Sequence, residues 1–136
     1  MLTGGCLCGR VRYELKRAPR NILDCHCIDC RRSSGAPYIS WGTIDRDNFS
    51  LSRGKLKQVR FAGRIRSFAP CCGTQILFQV TKASPTCDLA LASLDRPPAF
   101  KPRKALWCED HLPWVPLAKT IPAYLQRTKS EQLRAK

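Results

Sequence analysis

The chain has 136 residues, nine of them cysteine, with 24 basic and 10 acidic residues for a formal charge of +14. The length fits one domain, residues 1–136, rather than two. A hydrophobic fraction of 43% with 25% charged residues excludes wholesale disorder, and an odd cysteine count argues against a closed disulfide framework.

The N-terminus, Met1 to Cys6, lacks a basic region followed by an apolar one and does not read as a signal peptide. No run approaches the ~18–20 apolar residues of a membrane span. The expected setting is therefore cytoplasmic, with reduced thiols and no membrane partner. Reduced cysteines at short spacing point to metal binding.

The first such group is Gly5-Cys6-Leu7-Cys8-Gly9. Cysteines two apart project to one face of an extended segment and supply half of a four-ligand site. Alternation then predicts a strand over Val11–Leu15.

The second group is Cys25-His26-Cys27-Ile28-Asp29-Cys30. Three thiols at this spacing can converge on one ion, with zinc–sulfur bonds of about 2.3 Å. Three protein ligands leave one tetrahedral position open, as at a catalytic zinc. The alternative is a structural zinc closed by Cys87, Cys108 or His111. His26 is expected to face away from the ion, beside the ligands or at the surface.

Strands are predicted over Ala36–Ile44, Leu56–Ala62, Arg64–Phe68, Gln75–Thr81, Asp88–Leu94 and Lys104–Cys108. Many short strands and no long helical periodicity indicate an all-β domain. Pro122–Lys136 is the predicted C-terminal tail, which reads either as one short helix or as a segment frayed at its outer end. Cys87 and Cys108 are expected to be small buried apolar residues. No Asp or Glu occurs from Asn48 to Cys87, a stretch carrying Arg53, Lys55, Lys57, Arg60, Arg64, Arg66 and Lys82. Such a stretch is a solvated face, or a surface that attracts nucleic acid, an anionic membrane surface or small anions.

The third cysteine group is Ala69-Pro70-Cys71-Cys72-Gly73. One of its thiols can complete the first site, although consecutive side chains normally diverge.

Taken in order, these clusters resemble the glutathione-dependent formaldehyde-activating enzyme family, which includes the centromere protein V domain. The resemblance runs through Gly4–Tyr13, Cys25–Gly35, Arg66–Thr74, Ser93-Leu94-Asp95 and Leu106 to Tyr124. It implies a small zinc-binding β-tent fold of stacked antiparallel sheets with two zinc sites. The implied catalytic zinc is held by Cys25, Cys27 and Cys30. The implied structural zinc uses Cys6, Cys8, position 69 and Cys72, but position 69 is Ala69. Either Cys71 substitutes, or a water or other donor completes the site, or the site is empty; a retained zinc with Cys71 as fourth ligand is the favoured arrangement. The implied activity is that of a carbon–sulfur lyase: a thiol such as glutathione binds the open zinc position and adds to formaldehyde or a related aldehyde. Arg31 and Arg32 beside the triplet, and Arg60, Arg64 and Arg66, are candidates to attract anionic glutathione. The alternative function is a non-catalytic, zinc-stabilised interaction module, or nucleic-acid binding through the basic surface.

Overall fold

The computed structural model describes residues 1–128. They divide into two compact units: Met1–Arg20 with Gly42–Phe100, and Asn21–Trp41 with the segment from Lys101 onward.

The first unit contains a three-stranded sheet of β1 (Leu2–Gly5), β2 (Arg12–Leu15) and β5 (Phe49–Arg53), in the order β1-β2-β5. β1 and β2 are antiparallel, with Leu2 opposite Leu15 and Gly5 opposite Arg12. Tyr13 and Leu15 alternate with polar residues along β2 and are fully buried. The Tyr13 ring stacks on Phe49 of β5 at 5.0 Å.

The same unit holds the end of β4 (Ile39–Asp45), then β9 (Thr86–Ala90), β8 (Gln75–Gln79), β7 (Arg64–Phe68) and β6 (Lys57–Phe61), adjacent in that order. β6 and β7 form a hairpin with Phe61 opposite Arg64. Its two turn residues, Ala62 and Gly63, have φ of 49° and 75°. A two-residue hairpin needs that left-handed pair to match the strand twist, and glycine adopts it without strain. Along β7, Ile65 and Ser67 are buried while Arg64, Arg66 and Phe68 are partly exposed. Leu89, Ile76 and Ile44 complete the fully buried residues of these strands.

The second unit contains β3 (Arg20–Cys25), the start of β4, β10 (Ala105–Leu106) and one α-helix, α1 (Ile28–Ser34). β10 lies parallel to β3, with Ala105 opposite Asp24 and Leu106 opposite Cys25. Trp107, at φ 56°, ends β10.

The mostly β architecture agrees with the sequence pattern, and Arg64–Phe68 is a strand over its predicted length. Asp88–Leu94 is shorter than predicted: β9 stops at Ala90 and Leu91–Ser93 form a 3-10 turn. The parallel pairing of β10 departs from the expected antiparallel arrangement. The sequence pattern does not predict strands β1, β3 and β5, because glycine, Asn, Asp and Ser in them mimic turn composition. Helix α1 has only seven residues, too few for an apolar period to register.

The expected C-terminal helix does not form over residues 122–128. Ala123 bridges Ala105, and the Ala105, Cys108 and Trp107 N–H groups donate to the Pro122, Tyr124 and Gln126 carbonyls. A helix would withdraw those carbonyls from the partners they satisfy. Residues 129–136 of that predicted helix lie outside the described residues. Among the described residues no helix is long and apolar enough to cross a membrane.

Candidate metal centres

Two groups of cysteine sulfurs converge, one in each unit.

In the first unit, Cys6 leaves β1 and enters a tight loop. Its N–H donates to the Val11 carbonyl at 3.1 Å, and its carbonyl accepts from Gly9 N–H at 3.0 Å. Opposite stands the loop between β7 and β8. There the Ala69 carbonyl accepts from Gly73 N–H at 2.7 Å, which folds residues 69–73 into a turn. The Leu7 N–H donates to Thr74 Oγ1 at 3.0 Å and ties the two loops together.

The sulfurs of Cys6, Cys8, Cys71 and Cys72 all lie within 4.8 Å of one another. Four sulfurs about 2.3 Å from a tetrahedral ion stand about 3.8 Å apart. The Cys6–Cys8 and Cys6–Cys71 separations are 3.7 and 3.8 Å, and Cys8–Cys71 is 3.3 Å. The donor set and its spacing fit zinc. Cys71 and Cys72 share the group despite being adjacent, because a turn has no strand alternation to send their side chains apart. Ala69 has another role: it is fully buried and packs with Cys6 and Val11, with Leu56 and Cys72 against them.

The protein surrounds these sulfurs with donors that favour thiolates. Burial works against a charged Cys6, but the Val11 N–H, 3.3 Å from its sulfur, and the Cys8 and Cys71 thiols bring its pKa below the ordinary value. Hydrogen bonding to the Thr74 hydroxyl holds Cys72 down to about 5. Cys71, hydrogen-bonded to Cys8, is pushed up to about 12.

In the second unit, Cys25 ends β3, Cys27 caps α1 and Cys30 lies in its first turn. The Cys30 N–H donates to Cys27 Sγ at 3.3 Å. Gly35 closes the helix, its N–H donating to the Arg31 carbonyl at 2.8 Å. The cap and first turn together aim all three sulfurs at one point, again within 4.8 Å of one another. Among the described residues no fourth Cys, His, Asp or Glu joins them. The donor set fits a zinc with one position left to a ligand from solution. Cys25 and Cys30 are buried and Cys27 is half-buried.

Crowding three thiols divides their protons unevenly. Hydrogen bonds from Cys25 and Cys30 hold Cys27 down to about 2. Cys25, which donates to Cys27, is pushed up. Cys25 pulls Cys30 down, but Cys27 and burial outweigh it and raise Cys30 to about 11. The Trp41 indole N–H also donates to Cys30 Sγ, at 3.4 Å.

His26 sits between two of these cysteines but is not a surface residue: it is 3% exposed. Its ring lies 4.8 Å from Tyr38 and 6.3 Å from His111. Burial, then the nearby His111, holds it down to about 4, so it is neutral at pH 7. Cys87 and Cys108 are both buried, as expected, and neither belongs to a sulfur group. Arg31 and Arg32 stand in the last turn of α1, while Arg60, Arg64 and Arg66 belong to the other unit. The sulfur-directed donors Trp41, Val11 and Thr74 had no sequence signal, because only the folded chain brings them near a cysteine.

Residues 1–110 match the family described as glutathione-dependent formaldehyde-activating enzyme. Among solved structures the chain is similar to the crystal structure of a Rhodobacter sphaeroides protein. The two are 26% identical with a TM-score of 0.56, over 74% of this chain and 92% of that one. No curated protein matches the chain.

Proposed function

Because the chain belongs to the glutathione-dependent formaldehyde-activating enzyme family, we propose that it is a zinc-dependent carbon–sulfur lyase-type enzyme. Its substrates are a thiol such as glutathione and formaldehyde or a related aldehyde. The reaction adds the thiol S–H across the aldehyde C=O: a C–S bond forms, and the proton ends on the new hydroxyl.

The observation that carries this reading is the three-sulfur group of Cys25, Cys27 and Cys30, to which no fourth protein donor is added among the described residues. A zinc held there lowers the pKa of a coordinated thiol and holds it beside an electrophile. Cys25, Cys27 and Cys30 hold that ion, and the Trp41 N–H and the Cys30 N–H temper the charge on two of the sulfurs. Arg31 and Arg32, on the helix that carries Cys30, favour a substrate that is anionic at pH 7. Cys6, Cys8, Cys71 and Cys72 hold a second zinc with a structural role, closed by four protein sulfurs. Free thiols used in this way fit a cytoplasmic setting.

Zinc content and glutathione titration, in the wild type and in Cys27→Ser, test the proposal. The wild type is expected to hold two zincs, to bind glutathione, and to form the hydroxymethyl thioether faster than the spontaneous reaction. Cys27→Ser is expected to lose one zinc and the glutathione binding. Glutathione binding unchanged by Cys27→Ser would overturn the assignment and favour a zinc-stabilised interaction module.

A further inference from the structure

The first unit contains a cavity of about 520 Å³ that neither sulfur group uses. That volume falls within the range of small-molecule sites, about 300–1,000 Å³. Its polar wall comes from β6, β7 and β8. Gln79 is 7% exposed and lines the cavity with its side-chain amide. Beside it, Ser67 is 2% exposed and accepts from Gln58 Nε2 at a long 3.5 Å.

Phe49, Leu56 and Leu77 make the apolar wall. Leu56 also packs on the core around Cys6 and Ala69. Two cationic residues, Arg46 and Lys57, complete the lining, and no acid takes part. The Arg46 guanidinium is steadied by donating Nη1 to the Lys82 carbonyl at 2.9 Å, which leaves its other donors available. Cys87 adds no negative charge, because burial pushes its thiol up to about 11.

We propose that this cavity binds a small organic acid with an apolar body. Arg46, Lys57 and the Gln79 amide meet the carboxylate, and Phe49, Leu56 and Leu77 cover the body. A neutral ligand leaves two cations without a counter-charge. A bare inorganic anion leaves the apolar wall in water.

The test is an NMR titration of the zinc-loaded full chain, reading the Gln79 side-chain NH₂ signals. The probes are sodium hexanoate, hexanamide and inorganic phosphate. Hexanoate is expected to give a saturable shift at millimolar concentration, with hexanamide and phosphate at least tenfold weaker. The Arg46→Glu/Lys57→Glu variant, changed at two exposed positions, is expected to lose the hexanoate response at least tenfold. A Cys27→Ser arm is expected to keep it, which separates the cavity from carboxylate binding at a zinc and from the fate of the lyase reading. No hexanoate shift, an equal shift with phosphate or hexanamide, a response that survives the double variant, or its loss in Cys27→Ser would each overturn the proposal.

Discussion

The Trp41 indole N–H donates a hydrogen bond to the Cys30 sulfur at 3.4 Å. Both groups are buried, so this contact is shielded from competing water. Partners that steady a metal ligand from behind typically change metal affinity about 10–100-fold. Trp41→Phe keeps an aromatic ring and removes the donor. It is expected to weaken zinc at Cys25, Cys27 and Cys30 about 10-fold or more, read by chelator competition. Unchanged affinity would show that the indole only packs.

The turn at residues 69–73 places Cys71, not position 69, among the sulfurs. Cys71→Ser is expected to reduce zinc from two per chain to one. Structural zinc is worth about 10–16 kcal/mol in small peptides, so forfeiting even about 5 of it matters. At about 3–5 °C per kcal/mol for a domain of this size, the midpoint falls by about 15–25 °C. Ala69→Cys is not expected to rescue that variant, because Ala69 is buried in the Cys6 and Val11 core. Metal analysis with thermal melts decides both points.

Tyr13 is fully buried, and its hydroxyl lies 2.8 Å from Ser93 Oγ. Burial raises its pKa from 10 to about 12, partly offset by that hydrogen bond. Between those values the unfolded chain has released the proton while the folded chain retains it, so stability falls as pH rises. The loss is on the order of 2–3 kcal/mol across pH 10 to 12. Tyr13→Phe is expected to be less stable near neutral pH by about 1 kcal/mol. It is also expected to show a flatter decline in alkali. Urea midpoints from pH 9 to 12 measure the difference, and parallel declines for the two proteins would refute it.

Gly4 lies where backbone and ring come close. A Cβ there would stand 2.3 Å from the Tyr13 ring and 2.6 Å from the Ser93 carbonyl oxygen. Backbone on one side and a buried ring on the other leave little room to yield. Gly4→Ala is expected to cost about 1–3 kcal/mol through overpacking. Zinc content is expected to stay unchanged, because Gly4 is not among the sulfur ligands. Denaturation and metal analysis of the same sample check both statements.

The cysteine triplet was legible because its chemistry is local. Cys25, Cys27 and Cys30 span six residues, and one cap with one helical turn is enough to bring their sulfurs together. Helix α1 itself was not legible, since seven residues show no apolar period. Strand β7 was legible from its alternation. Strands β1 and β5 were not, because pairing with β2 overrides their turn-like composition.

By itself, the sequence determined the family, the mostly β architecture and which cysteines are grouped along the chain. Those properties are written in short spacings and in alternation, which the backbone converts directly into geometry. Tertiary structure alone decided that Cys71 and Cys72 both meet Cys6 and Cys8 across more than 60 residues of chain. It also decided that Ala69 is core, that residues 122–126 pair with residues 105–109, and that Trp41 addresses Cys30. Each of these depends on contacts that only the folded chain makes, between loops, core residues and segments outside one local element, and such contacts leave no mark in local residue order.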